Sequence, residues 1–155
     1  MDNAVTIDHI EVVLVKEWDK EDIRSLYREA GWWKEVWDPS DLKLLISGSL
    51  AFAVAVDRET GHAVAMGRAI SDGTSDAYIQ DLVVKEEYRE YGIGRKILTA
   101  LIRYCHSRGI TWIALIAEPG TEKFYVPSGF ERMKGYVPMI FRDPVKEGKL
   151  NADET

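Results

Sequence analysis

The run Asp81-Leu82-Val83-Val84-Lys85-Glu86-Glu87-Tyr88-Arg89-Glu90-Tyr91-Gly92-Ile93-Gly94-Arg95 holds the change of pattern on which the fold turns. An apolar strand passes through a polar turn and meets two glycines at the mouth of an amphipathic helix. That helix, over residues 92–107, carries Ile97, Leu98, Leu101, Ile102 and Cys105 on one face, and Gly109 stops it. Glycine at such a mouth permits tight backbone geometry and leaves no side chain in the way of a ligand. The first amides of a helix lack intrahelical partners and lie at the positive end of its dipole, which suits phosphate. Arg95, Lys96, Arg103 and Arg108 add positive charge, and no acidic residue follows Glu90 in this helix. Taken alone, Gly-x-Gly entering a helix reads as a sharp turn. The P-loop pattern G-x-x-x-x-G-K-[ST] and the dinucleotide pattern G-x-G-x-x-G are both absent, because Lys96 and Ile97 follow Gly94.

Working outward, the periodicity predicts a strand over 78–84 before the turn. After the helix come a buried strand over 112–117, a short helix over 121–126 and a last strand over 136–141. Upstream, residues 7–15 read as a first strand. Asp19 caps a helix through Ala30, with Ile23, Leu26, Tyr27 and Ala30 at helical spacing and Gly31 as its stop. Asp38-Pro39-Ser40-Asp41 reads as an N-cap with proline at the first helical position, opening a second short helix to about Ser47. Strands over 51–56 and 63–70 join through the polar Asp57-Arg58-Glu59-Thr60-Gly61 turn. The order is βααβββαβαβ, with room for one further short strand near Phe130. It predicts an α/β (mixed α+β) fold around one central twisted sheet flanked by helices, with at least one strand–helix–strand crossover. One domain over 1–145 is expected, followed by a charged, frayed C-terminal tail over 146–155.

The 155 residues fit one domain with a real core. A net charge of −6 argues against general nucleic-acid binding, which needs Lys and Arg on phosphates. No apolar stretch approaches the ~20 residues that cross a bilayer, and the N-terminus has no secretory pattern, so no membrane association and a cytoplasmic location are expected. Cys105 has no cysteine to pair with and forms no metal cluster with His9, His62 and His106, so no metal is expected.

Arg89-Glu90-Tyr91-Gly92-Ile93-Gly94 matches every fixed position of R/Q-x-x-G-x-G/A, the pyrophosphate loop of the GNAT superfamily (Gcn5-related N-acetyltransferases), and the chain resembles that family at two more places. Leu82-Val83-Val84 is similar to its L-x-V strand, and Phe124-Tyr125-Val126-Pro127-Ser128-Gly129-Phe130 is similar to its F-Y-x-x-x-G-F segment. The resemblance implies a single GNAT-like domain whose two central parallel strands splay apart around the pantetheine arm of acetyl-CoA, a co-substrate used without metal. By the same resemblance, backbone amides of Arg89, Glu90, Tyr91, Gly92, Ile93, Gly94 and Arg95 hold the pyrophosphate. An N–H among Leu82, Val83 and Val84 stabilises the oxyanion, and Phe124 touches the cofactor. Tyr125 becomes the catalytic acid that protonates the departing thiolate. An amine attacks the thioester directly in a ternary complex. The acceptor is a small-molecule amine, with a protein N-terminus or lysine as alternatives, and a homodimer is compatible.

The chain departs from the family pattern in two ways. Glu118 stands where many members have asparagine. The positions that often hold the general base are Tyr78 and Gln80, and the neighbouring Asp81 is expected on the other face by strand alternation. An ordered water or Glu118 is left to assist. Turnover without an evident base leaves a second reading open, an acyl-CoA-binding sensor. Gly31-Trp32-Trp33-Lys34-Glu35-Val36-Trp37 lies where the family builds its acceptor site, and its tryptophans read equally as a cation-binding wall or as core. Tyr136 and Met139 are expected to complete that pocket, and Glu35, Asp38 and Asp72 to meet a cationic amine.

Overall fold

The computed structural model describes residues 7–144. Its strands are β1 (Ile10–Val15), β2 (Ala51–Asp57), β3 (Ala63–Ile70), β4 (Ala77–Val84) and β5 (Ile113–Leu115). Its helices are α1 (Lys20–Glu29), α2 (Leu42–Gly48), α3 (Ile93–Ser107) and α4 (Glu122–Tyr125), joined in places by short 3-10 turns. The five strands form one sheet in the order β1-β2-β3-β4-β5. Pairing is antiparallel from β1 to β4 and parallel between β4 and β5, the pair that α3 crosses over. The mixed α/β class expected from the sequence is the class observed.

Helices cover both faces of the sheet, which is why β2 and β3 are apolar almost throughout instead of alternating. On one face α3 sets Ile93, Ile97, Leu98, Leu101 and Cys105 against small residues such as Ala53, Ala65 and Ala69. Gly67 of β3 allows this approach: a Cβ there would stand 2.8 Å from Cγ2 of Ile97. On the other face Ile23, Leu26 and Tyr27 of α1 and Leu42 and Ile46 of α2 cover Phe52, Val54 and Met66. The Asp19 carboxylate caps α1 by accepting from the Glu21 and Asp22 amides, both at 3.0 Å, as its sequence position implies. Asp38 does the same for the turn into α2, accepting from the Ser40 amide at 2.9 Å.

The C-terminal third departs from the expected order. Neither the strand over 136–141 nor the short strand near Phe130 forms, and β5 covers only half of the expected 112–117. A strand needs an edge to pair with. Here the chain turns at Gly135, with the Tyr136 amide donating to Met133 O at 3.1 Å, and runs on exposed, without ladder pairing. Residues 7–9 form a 3-10 turn ahead of β1. The expected tail over 146–155 lies outside the described residues.

Candidate active site

Pairing between β4 and β5 begins at Ala77↔Ile113 and ends at Ile79↔Leu115, while β4 continues to Val84. Beyond Ile79 the strands part, and the gap is a cleft of about 320 Å³. Gln80, Asp81 and Leu82 form one wall, Leu115, Ile116 and Glu118 the other, and Tyr125 and Thr121 reach in from α4 and the residue before it. A second hollow of about 390 Å³ lies between α1, α2 and their junction, lined by Trp32, Trp33, Trp37, Leu42 and Leu45, with Asp38 and Asp41 also on its lining. Trp32 and Asp81 line both spaces.

Asp81 reaches this position through a bulge. Met66 pairs with Val83 and Arg68 with Gln80, so Asp81 and Leu82 together oppose the single residue Gly67. Asp81 takes φ 58°, a left-handed conformation that aspartate tolerates better than most residues. Alternation, which would have turned Asp81 away from the cleft, is overridden. Its Oδ2 accepts from the Tyr27 hydroxyl and from Arg68 Nε, both at 2.7 Å. Burial first, and then the Asp81 charge, push the Tyr27 phenol far above its ordinary range, so it stays a neutral donor. Both hydrogen bonds use Oδ2, leaving Oδ1 without a hydrogen bond among the described residues.

Trp32 is held by its indole Nε1–H, which donates to Glu118 Oε1 at 2.8 Å. That bond ties the α1–α2 junction to the chain just after β5. Trp33 meets Trp37 edge to face at 5.5 Å, and Lys34 Nζ lies 5.8 Å from the Trp37 ring centre. The tryptophans are therefore both wall and partial core: Trp32 and Trp33 also pack against the α1/α2 cluster.

Tyr125 lines the cleft, and its ring contacts Phe124 at 5.0 Å and Phe130 at 5.9 Å. Burial first, then the Glu118 charge, raise its phenol above the usual value. Its hydroxyl makes no hydrogen bond among the described residues. Phe124 is packed on the first turn of α3, since a Cβ on Gly94 would lie 3.2 Å from Phe124 Cζ. Gly92 caps α3 in the left-handed conformation with φ 80°, no side chain caps the helix, and the space a Gly92 Cβ would occupy is open. Arg89, Glu90 and Tyr91 stand exposed in this loop, and Arg89 Nε donates to Val84 O at 2.9 Å, closing the turn. Ile93 is buried and Arg95 exposed. Of Leu82-Val83-Val84, only Leu82 borders the cleft. Val83 belongs to the α1/α2 core and Val84 packs toward α3.

Several expected residues are not brought to the site. Tyr136 and Met139 line neither space and are among the most exposed side chains. Glu35 pairs with Arg28 at 3.1 Å, and Asp72 caps its own turn through the Thr74 and Ser75 amides. Of the three acidic loop residues, Asp38 alone lines the aromatic hollow. Elsewhere, the fold sets His9 Nε2 3.5 Å from Asp57 and 3.8 Å from Glu59, a juxtaposition the spacing does not suggest. Asp57 already accepts from Tyr88 OH and the Glu59 amide, both at 2.9 Å, so the group locks the β2–β3 turn. Sequence reasoning missed Tyr27, Arg68 and the inward turn of Asp81. Two consecutive polar residues, Gln80-Asp81, inside an apolar strand were the available sign of a bulge.

A mixed sheet that parts between two parallel strands, beside a glycine-entered helix, defines the acetyltransferase class of fold. The chain belongs to the acetyltransferase (GNAT) family, whose model matches residues 13–130. It is 39% identical over 72 residues to GCN5-related N-acetyltransferase 1, chloroplastic, of Arabidopsis thaliana, covering 46% of this chain and 36% of that protein. Against serotonin N-acetyltransferase 2, chloroplastic, of Oryza sativa subsp. japonica it is 37% identical over 70 residues, covering 45% of this chain and 35% of the relative. Each match thus spans about a third of the curated relative. Among solved structures, a GNAT family acetyltransferase from Streptococcus pneumoniae TIGR4 superposes with TM-score 0.71 at 28% identity, covering 86% of this chain and 98% of that one.

Proposed function

We propose that the protein is an acetyl-CoA-dependent N-acetyltransferase whose acceptor is a primary amine carried on a flat, apolar body. The observation that carries this reading is the shared wall of Trp32 and Asp81 between the strand cleft and the aromatic hollow. The thioester lies in the cleft, with its pyrophosphate toward the uncapped first turn of α3. The acceptor's body fills the hollow against Trp32, Trp33 and Leu45. Its ammonium meets the free Oδ1 of Asp81, which Tyr27 and Arg68 hold in place. Attack follows loss of the ammonium proton, which leaves through Asp81 to water in the open cleft. The new C–N bond forms as the C–S bond breaks, the Tyr125 hydroxyl gives its proton to the departing thiolate, and the second proton shed by the acylated nitrogen passes through water to restore the Tyr125 hydroxyl.

The family supports acetyl transfer in general, and the name of the rice relative, an acetyltransferase of serotonin, an arylalkylamine, agrees with the aromatic hollow. The sensor reading rests on the lack of an evident general base, a role for which this proposal offers Asp81, which lines the cleft together with Glu118. A cytoplasmic site of action, the expectation stated from the sequence pattern, is part of the same proposal. The test is thiol release from acetyl-CoA across arylalkylamines, alkylamines, diamines and lysine peptides, with wild type and Tyr125→Phe. Release that is greatest with arylalkylamines and falls in the variant supports the reading. Acetyl-CoA binding without release for any amine returns the sensor, and no binding sinks the proposal.

A further inference from the structure

We propose that His9, Asp57 and Glu59 form a binding site for one divalent first-row transition-metal ion of the Zn²⁺ type, outside both the strand cleft and the aromatic hollow. His9 Nε2 lies 3.5 Å from Asp57 Oδ1 and 3.8 Å from Glu59 Oε2, and no two of the three ligand atoms are more than 4.8 Å apart. Those separations are too long for N–H···O hydrogen bonds, which fall at ~2.7–3.2 Å. They are close to the spacing that a shared ion requires. Metal bonds of ~2.0–2.2 Å at a tetrahedral angle place two donors ~3.3–3.6 Å apart. The His9–Asp57 pair already meets that spacing, and the Glu59 side chain, 73% exposed, is free to swing the rest of the way.

The backbone brings the three donors together before any ion arrives. His9 directly precedes β1, Asp57 ends β2, and Glu59 follows in the turn. The strand register sets Ile10 opposite Asp57, and the His9 carbonyl accepts from the Arg58 amide at 2.9 Å, between the two carboxylates. Asp57 is aimed by its neighbours. Its Oδ2 accepts from Tyr88 OH and its Oδ1 from the Glu59 amide, both at 2.9 Å. A carboxylate oxygen carries two lone pairs, so Oδ1 keeps one for the ion. Hydrogen-bond partners of this kind fix the direction of a metal-binding carboxylate and strengthen its site.

Charge favours a cation here as well. The Asp57 side chain is only 5% exposed, and both of its hydrogen-bond donors are neutral. Arg58 lies between the two carboxylates in sequence but turns away, its Nε donating to Glu11 Oε2 at 2.9 Å. Among the described residues neither carboxylate is paired with a lysine or arginine. A buried carboxylate is costly unless it is paired or coordinates a metal. One imidazole with two carboxylates suits Zn²⁺ and its first-row neighbours, whereas Ca²⁺ and Mg²⁺ prefer oxygen alone. His9, Asp57 and Glu59 line neither the cleft nor the hollow, so the ion's part is to join the start of β1 to the β2–β3 turn. Through Asp57 and Tyr88 it would also brace the turn that precedes Arg89. The site stands apart from the proposed reaction.

The test uses the full chain without a histidine tag, stripped with a chelator and titrated with Zn²⁺ alone in a calorimeter, with Co²⁺ as a visible-absorption probe. Wild type should take up one Zn²⁺ per chain, show ligand-field bands with Co²⁺, and melt at a temperature that rises with free Zn²⁺. His9→Gln and Glu59→Gln, the latter at an exposed position, should each abolish stoichiometric binding while keeping the circular dichroism spectrum. Tyr88→Phe, which keeps all three ligands and loses the bond to Asp57, should weaken Zn²⁺ binding by ~10–100-fold. Ca²⁺ and Mg²⁺ at the same concentrations should neither bind nor raise Tm. A wild type that binds no Zn²⁺ overturns the proposal and leaves the three side chains as an ion-pair group only. So does Zn²⁺ binding that survives in either His9→Gln or Glu59→Gln, which places the ion elsewhere. Ca²⁺ bound as tightly as Zn²⁺ overturns it too, being the mark of an acidic surface and not of an imidazole site.

Discussion

Replacing Asp81 by asparagine removes one charge while keeping the shape of the side chain, and asparagine accepts the left-handed φ of 58° at this bulge. The backbone should therefore stay as it is, and the loss should be electrostatic. A hydrogen bond to a charged group contributes about 1.5–3 kcal/mol, so an acceptor ammonium deprived of the Asp81 carboxylate should lose about 10- to 100-fold in kcat/KM. The KM for acetyl-CoA should not move. Stability should fall as well, because the Arg68–Asp81 pair is drawn well into the protein, with side chains 17% and 22% exposed. That residual exposure holds the cost to about 1–2 kcal/mol, below that of breaking a fully buried pair, or roughly 2–4 °C in Tm for each kcal/mol. Asp81→Ala should be worse by about 1–2 kcal/mol, the cost of an ordinary Cβ in the left-handed region. The assay is thiol release with both substrates varied, alongside a thermal melt. An internal control sharpens it: anilines, uncharged at neutral pH, should show little difference between wild type and Asp81→Asn. Should Tm fall while kcat/KM for an alkylammonium acceptor stays put, Asp81 is a structural brace alone and the ammonium argument is wrong.

Tyr125→Phe should lower kcat by about 10²–10⁴-fold with acetyl-CoA affinity retained; steady-state kinetics and calorimetry together check this. Because burial raises the Tyr125 pKa, the acid stays protonated through neutral pH, and a pH–rate profile should lose activity on its alkaline limb only above the ordinary phenol range. Gly67→Ala places a Cβ 2.8 Å from Ile97 Cγ2 and 3.1 Å from Leu82 Cδ1, so chemical denaturation should show a loss of about 1–3 kcal/mol from overpacking. Burial pushes Asp57 upward, but bonds from Tyr88 OH and the Glu59 amide outweigh it and leave its pKa lowered. Its contribution is then complete above the unfolded value near 3.8 and is lost as pH falls through the lower folded value, so wild-type Tm should drop more steeply below about pH 4 than that of Asp57→Asn.

The fold was legible where local chemistry and burial agree. Asp19, Asp38 and Gly31 marked helix ends because a cap or a left-handed stop is decided within a few residues. α3 was legible because its apolar face is continuous from Ile93 to Cys105. Residues 136–141 were read as a strand because Tyr, Val, Met, Ile and Phe have strand composition, but composition does not supply an edge. Within the site, the glycine loop was readable because its constraint is a backbone conformation that the residue type declares. The Tyr27–Asp81–Arg68 group was not, because its members lie on α1, β4 and β3 and meet only through tertiary packing. Tyr27 and Asp81 are 54 positions apart, and no periodicity connects them.

That group shows why one bulge serves both sides of the proposed reaction. Placing two residues opposite Gly67 breaks the alternation of β4 at the point where β5 departs, so a single local irregularity coincides with the start of the cleft. It also turns a carboxylate toward α1, where Tyr27 and Arg68 satisfy one of its oxygens. Without the bulge, Asp81 would fall on the face opposite Gln80, and the aromatic hollow and the strand cleft would share only Trp32. Trp32 is in turn fixed from the far wall by Glu118. The two walls of the cleft are thereby each tied to the α1–α2 junction, one through Asp81 and Tyr27, the other through Glu118 and Trp32. In the proposed reaction, an acceptor filling the hollow would bear on both of these ties at once, because Trp32 and Asp81 line the two spaces together.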